Sequence, residues 1–443
     1  TMMSNLLKGE NMRVIGRSLG VAVGLSLLLS VAMARAQADQ VAEARARVTA
    51  ERRAMGPSLA LGTVLHRAGM LTEALAELRR GMQLTPARGS DDAVLIRRRI
   101  ALVLADMGKL NDALRYCQQI RGAGGAPVLV HGCAAEVHMA RKRASDVLVE
   151  TAKAEALVAD HYESRVAEGL ARWQNGATSE AEQAFRIAIA KDASRFEAHL
   201  GLGRLLLVLG RRDEGVAELA KAFQADDRNP DSQFAYAQAL GSDPRVQGLL
   251  ESAVRGRPGF AHAHAKLAEF FLNASAWEAA EKSARAALAC ASVEAEWHGI
   301  LGMALLRRGQ VDDAMAEAEA TLRGSAASAR GKLLQAEVYV QRGDIDLAIE
   351  AFQASYSNGR TDPTPLVRGA ESCLRMGRET TGRGFAEKAT QVFPNWGPGW
   401  EILGDILVRA GEKTAARDAY RKALQGDGLT DRSAIDRKLQ QIK

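Results

Sequence analysis

The residues best suited to chemistry in this chain are its histidines, its four cysteines and a set of carboxylates. His262 and His264 form an H-x-H pair, two imidazoles close enough along the chain to suggest a metal site. On a helix, residues two apart point about 200° from each other, so this pair does not converge on one ion. His131, His199, His264 and His298 each stand four residues before a small residue, the place that Trp400 takes before Gly404. A ring that recurs in one slot is a packing residue, and no metal or cofactor site is expected.

Other catalytic patterns fail on context. "GRSLG" (16–20) fits the nucleophile pattern G-x-S-x-G but lies in an apolar leader, not on a strand-to-helix elbow. "GLGRLL" (201–206) puts Leu206 where the third glycine of a dinucleotide-binding turn belongs, and no strand precedes it. Neither H-E-x-x-H nor the phosphate-cradling G-x-x-x-x-G-K-[ST] occurs. Cys117, Cys133, Cys290 and Cys373 contain no C-x-x-C, which argues against a thiol redox motif, a zinc ribbon or a haem attachment.

The N-terminus explains much of the net charge of +6. From Met12, Arg13 and Arg17 precede an apolar run from Leu19 to Ala34, followed by the small-x-small sites Ala34-Arg35-Ala36 and Ala36-Gln37-Ala38. That is the layout of a secretory signal peptide. The run is shorter than the ~20 residues a spanning helix needs. Cleavage after Ala38 is therefore expected, with an inner-membrane anchor at 19–34 as the alternative. Removal takes half of the positive excess, and no basic run remains to mark a nucleic-acid stripe.

The elements that position everything else repeat. Small residues recur every 34 positions at Ala101, Ala135, Gly169, Gly203 and Ala237, and again at Ala268, Gly302, Ala336, Ala370 and Gly404. Gly62 begins the series 39 residues before Ala101, and the two runs join across 31 residues. Seven residues after most anchors stands a glycine, such as Gly176, Gly210 or Gly411, suited to ending a helix in the left-handed region. Twelve after is a small residue, and sixteen after is often a bulky one: Leu78, Phe185, Leu219, Phe352, Tyr420. Pro86 and Pro394 close their units. The pattern predicts paired amphipathic helices, with the small residues permitting close helix contact. The unit at 128–161 departs from it: Lys142 replaces the glycine and Thr151 the bulky residue.

With Trp, Leu-Gly, Gly, Ala, aromatic and Pro in this order, "WEILGDILVRAGEKTAARDAYRKAL" (400–424) resembles the tetratricopeptide repeat. "WHGILGMALLRRGQVDDAMAEA" and "AHLGLGRLLLVLGRRDEGVAEL" follow it closely. The resemblance implies an all-α, right-handed superhelical solenoid of about eleven helix-turn-helix repeats. The expected organisation is a signal segment with upstream residues (1–38) and a helical lead-in (39–54). Repeats 1–6 (55–260) and 7–11 (261–430) follow, with a capping helix at 431–443. In the sixth unit "LGSDPRV" (240–246) shortens the turn: Gly241 stops one helix, Ser242 or Asp243 caps the next, and Pro244 enters its first turn. Cys117 and Cys133 fall on adjacent helices. A disulfide is open to them after export, but buried free thiols are the expectation; Cys290 and Cys373 are too far apart to pair.

In the family, the first helices of successive units line a concave face that usually holds the ligand. One residue after the C-terminal anchors stand Glu269, Met303, Glu337, Glu371 and Asp405. Four after stand Leu272, Leu306, Val340, Leu374 and Val408; five after, Asn273, Arg307, Gln341, Arg375 and Arg409. The expectation is an apolar ladder between an acidic row and a partly basic one, with Leu306, Val340 and Leu374 as central contacts. The Lys/Asn pattern with which some relatives clamp a terminal carboxylate is absent at these positions.

The expected function is a non-enzymatic scaffold of the bacterial cell envelope, because paired catalytic carboxylates need a shared pocket and a row of one per repeat spaces them a helix pair apart. Its partners would be extended or helical protein segments within secretion, polysaccharide export, surface motility or outer-membrane biogenesis machinery. The setting would be periplasmic, with no cofactor and no nucleic acid. The alternative is a glycan- or ligand-handling protein, or an enzyme, using the groove carboxylates.

Overall fold

Each period holds two segments of about thirteen residues, too short to be stable helices alone in water. They persist by burying one face against their neighbours. The computed structural model of the chain describes residues 40–52, 54–67, 69–84, 91–241, 243–291, 294–428 and 431–442. The expected signal segment lies outside them.

The architecture is an all-α repeat solenoid, with two compact units divided between Lys266 and Leu267. Among the described residues, a helix over 40–50 (α1) precedes eleven hairpins. In the first unit these are α2 (Met55–Arg67) with α3 (Leu71–Gln83), α4 (Asp91–Asp106) with α5 (Leu110–Gly122), and α6 (Pro127–Ala140) with α7 (Ala144–Leu157). Then come α8 (Tyr162–Gln174) with α9 (Thr178–Lys191), α10 (Phe196–Val208) with α11 (Arg212–Ala225), and α12 (Pro230–Leu240) with α13 (Arg245–Gly256). Helix α14 (Ala261–Asn273) crosses the division and pairs in sequence with α15 (Trp277–Cys290). The second unit continues with α16 (Ala295–Arg307) and α17 (Val311–Gly324), α18 (Ala329–Arg342) and α19 (Ile345–Asn358). It ends with α20 (Thr364–Arg375) and α21 (Glu379–Val392), α22 (Gly397–Arg409) and α23 (Lys413–Gln425), and α24 (Arg432–Gln441).

The slot seven residues after the anchor is left-handed in every hairpin except the shortened sixth, even where it is not glycine. Gly176, Gly210 and Gly411 have φ of 78°, 76° and 79°; Lys142 and Ser275 take the same turn at 55° and 57°. Tertiary packing therefore overrides the local cost of a side chain there. In the shortened sixth hairpin Gly241 ends α12 at φ 68°, and the Asp243 carboxylate accepts from Arg245 N at 2.8 Å, with Pro244 directly before α13.

Within hairpins, the anchor and the residue sixteen later share one volume. Gly62, Gly169, Gly203 and Gly404 face Leu78, Phe185, Leu219 and Tyr420, each too close to leave room for a methyl group on the glycine. Where the anchor is Ala, its counterpart is usually small: Cys117, Thr151, Ala253, Ala284, Ala386, all buried. Ala336 opposite Phe352 is the exception. The tightest approach is in α10–α11, where an added Cβ on Gly203 would meet the Gly215 carbonyl oxygen at 3.0 Å, and one on Gly215 the Gly203 oxygen at 3.0 Å.

Both ends are closed by a single helix. Val41 and Ala44 of α1 join the core of Met55, Leu61 and Leu78. Ile435 and Ile442 join the core around Leu403 and Tyr420, while Lys438 of α24 donates to Glu401 at 2.9 Å and Asp405 at 2.8 Å.

Candidate partner-binding face

The slot occupied by histidine or tryptophan does more than fill space. His199 Nε2, Gln233 Nε2, His264 Nε2 and Trp400 Nε1 each donate to the carbonyl six residues back, at 3.2, 2.6, 2.9 and 2.8 Å. The donor pins the loop between one hairpin and the next. His131, His199 and His298 also turn Nδ1 to a glutamate nineteen residues on (Glu150, Glu218, Glu317) at 2.7, 2.5 and 2.6 Å. The hydrogen bond from His199 is the main cause that draws the Glu218 carboxyl down to about 2. The histidines are packing residues with a polar task, and the Glu at fixed offset was the sequence signal that would have revealed it.

In the second unit, the first helices touch at α16/α18 and α20/α22, but α18 and α20 approach less closely. Between them lies an opening of about 520 Å³ lined by Arg307, Glu337, Val340, Gln341, Arg368, Glu371 and Arg375, with Phe352 of α19 at its base. Arg307 reaches Glu337 at 2.8 Å, and Arg368 bridges Glu371 at 3.1 Å and Glu337 at 3.7 Å. Three arginines against two glutamates leave one positive charge in excess. A second opening, about 710 Å³, is lined by Glu269, Leu272, Met303, Ile300, Leu333 and Arg330, with Glu296 and Asp362. Arg330 bonds Glu269 at 2.9 Å and lies 3.9 Å from Glu296, so here the negative charges exceed the positive by two. The face thus changes sign along its length.

Eight of the thirteen expected groove residues line these openings: Glu269, Leu272, Met303, Arg307, Glu337, Val340, Glu371 and Arg375. The ladder itself needs correction. Leu306 is only 1% exposed and belongs to the core, and Leu374 packs against the core beside Val340. A residue four after the anchor lies one turn along the same helix face, and that face meets the second helix. Only Val408, at 43%, is freely exposed. Asp405 is also withdrawn from the face: it accepts from Tyr420 Oη at 2.6 Å and from Lys438 of the closing helix. Arg409 donates to the Leu374 carbonyl at 2.7 Å and pairs with Glu379 at 2.9 Å.

The cysteine expectation is likewise corrected. Cys117 of α5 and Cys133 of α6 form a disulfide, their Cα atoms 5.5 Å apart, within the range such a bridge requires. Both are buried where the second helix of one hairpin meets the first helix of the next. Cys290 and Cys373 are free, and burial pushes the Cys373 thiol up to about 11.

The tetratricopeptide repeat family model matches residues 166–232 and 301–363, which fall on hairpins of both units. These two segments carry tetratricopeptide repeats, and proteins built from this repeat are generally protein–protein interaction scaffolds, typically non-enzymatic. Among solved structures it is similar to the APC/C hetero-tetramer Cut9–Hcn1, with 13% identity over 88% of each chain and a TM-score of 0.51. Yeast Tom70 is 12% identical over 94% of this chain and 95% of its own, at a TM-score of 0.46. A tetratricopeptide repeat protein from Parabacteroides merdae is 16% identical over 63% of this chain and 98% of its own, at 0.39. No curated protein matches the sequence. At these identities the likeness concerns the fold alone.

Proposed function

We propose that the chain is an exported scaffold of the bacterial envelope that holds a segment of a partner protein along the first helices of its second unit. The observation that carries this reading is the pair of neighbouring openings, one with an acidic excess and apolar side chains, the other with a basic excess. A segment with a basic, apolar stretch at one end and an acidic group at the other would lie across both in one direction only. Charge complementarity of this kind sets orientation and association rate. Export is supported by the leader at 12–38 and by the Cys117–Cys133 disulfide, a bond that persists in oxidising compartments. Membership of a secretion, polysaccharide-export, motility or outer-membrane assembly machine is the setting we infer from export together with partner binding.

Arg375 lines the first opening, is exposed and makes no hydrogen bond or ion pair among the described residues. Arg375→Glu should leave the circular dichroism spectrum unchanged and weaken capture of envelope proteins by about tenfold, with Val340→Asp acting in the same sense. Capture at full strength by both folded variants would remove the site from this face. Protein recovered from the envelope should begin near Gln37 or Asp39; retention of Arg13 and Arg17 on membrane-bound protein would show an anchor instead.

The glutamates of the openings are tied to arginines, Glu337 to two of them, which disfavours the enzymatic alternative. Hydrolysis of envelope polysaccharide that is lost in Glu337→Gln would reverse this ranking.

A further inference from the structure

We infer that the first unit carries a second, separate binding site: a slot at α4, α6 and α8 for one apolar side chain flanked by a basic residue. The slot measures about 270 Å³, enough for a side chain and its neighbour but not for a helix. Leu102, Met139, Val166 and Leu170 form its apolar lining, each only half-buried. Covering them removes apolar surface from water, which favours an apolar occupant.

The rim is held in place before anything binds. Arg98 Nε donates to Glu136 at 2.6 Å. Arg195 donates to Glu163 at 2.6 Å and to Glu197 at 3.1 Å, and its guanidinium lies 4.0 Å from the centre of the Tyr162 ring. Tyr162 Oη accepts from Ala198 N at 3.1 Å and donates to Glu197 at 3.3 Å. Burial pushes this phenol up to about 12, so it remains a neutral donor.

The charges choose the neighbour of the apolar group. Two arginines face three glutamates around the slot, an excess of one negative charge. Glu163 and Glu197 share a single arginine, and Glu163 also lies 3.3 Å from His161 Nε2, so Glu197 is the carboxylate left to take one further cation. A lysine or arginine next to the apolar side chain supplies it, whereas an acidic neighbour meets net repulsion.

Methionine methyl groups allow each site to be followed in the full chain. Met139 lines the slot, while Met303 and Met376 line the two openings of the second unit. The probe is the blocked peptide acetyl-Ser-Leu-Arg-Ser-amide, titrated into protein carrying 13C-methyl methionine, with the Met139 signal assigned from Met139→Leu. The Met139 methyl should shift saturably. Replacing the peptide's leucine by alanine should weaken binding on the order of tenfold. Replacing its arginine by glutamate should abolish the shift, and Glu197→Gln should reduce the preference for the basic peptide several-fold. A Met139 methyl unmoved at millimolar peptide, or equal response to all three peptides, overturns the assignment. Movement of Met303 or Met376 alone also overturns it, while leaving the proposed function of the second unit standing.

Discussion

Exchanging volume across the α10–α11 hairpin tests whether the anchor and its counterpart sixteen residues later act as one packing unit. In Gly203→Ala the new methyl would stand 2.6 Å from Leu219 Cγ and 3.0 Å from the Gly215 carbonyl oxygen. The helices must separate or Leu219 must leave its rotamer, at a cost of about 1–3 kcal/mol. Alanine's better helix propensity returns about 1 kcal/mol, leaving a net loss of about 1 kcal/mol. Leu219 is fully buried, so Leu219→Ala alone should cost about 3 kcal/mol through lost contacts and a cavity. The double variant places Ala against Ala, the pairing that the chain already uses at Ala237/Ala253 and Ala268/Ala284. The added methyl then loses its contacts with Leu219, keeps only the close approach to the Gly215 carbonyl oxygen at 3.0 Å, and fills part of the cavity. The double variant should therefore be less destabilised than the sum by about 1–2 kcal/mol. Repeat arrays need not unfold in one step, so the measurement is hydrogen exchange of α10 and α11 amides under native conditions, not a melting midpoint. Additivity of the two single changes within about 0.5 kcal/mol would refute the rule.

Three further outcomes follow from particular residues. Lys142 holds a left-handed turn at φ 55°, so Lys142→Gly should raise stability by about 0.5–1 kcal/mol, read from exchange of α6 and α7; a loss would mean the side chain compensates its own strain. Glu218 is held near 2 by His199, and a carboxyl depressed in the fold contributes stability above its ordinary pKa, near 4.5, that is lost as pH falls towards 2. After allowance for solvent screening this amounts to roughly 1–2 kcal/mol, and Glu218→Gln should flatten the α10–α11 exchange profile between pH 4.5 and 2; parallel profiles would exclude the linkage. Denatured, unreduced protein should take up alkylating agent at Cys290 and Cys373 only, with Cys117 and Cys133 reacting after reduction; four reactive thiols from the outset would exclude the bridge.

The fold was legible because a repeat makes tertiary structure nearly one-dimensional. Each anchor meets its partner at a fixed distance along the chain, so spacing alone brings Gly203 to Leu219 and Gly404 to Tyr420. Lys142 and Ser275 broke the glycine pattern without breaking the turn, because packing on both sides fixes the backbone there. The face was less legible. Leu306 looked like a rung of an exposed ladder, yet the four-residue offset from Gly302 that made the ladder regular also turns it into the core. Asp405 was withdrawn by Lys438, a residue of the closing helix that no repeat offset connects to it. The Cys117–Cys133 bridge depended on geometry between hairpins that spacing brings near but does not decide.

What periodicity cannot express is the place where a regular array opens. Glu337 and Arg368 lie in successive first helices whose anchors are 34 residues apart, as elsewhere in the series, yet α18 and α20 approach less closely than the pairs on either side. Arg368 spans that gap to Glu337 at 3.7 Å, and Phe352 closes it from below, the one large residue set opposite an alanine anchor. Gly302 opposite Ala318 also departs from the size rule, its space being taken by Leu334 of the next hairpin, but only the Ala336–Phe352 departure falls in the hairpin that borders the opening. A bulky ring behind Ala336 is a physical reason for α18 to be displaced from its neighbour, so the departure from internal packing regularity coincides with the opening lined by Arg307, Arg368 and Arg375. If the proposed function holds, this departure is where the partner segment would be read, and the Arg375→Glu and Val340→Asp variants test that place directly.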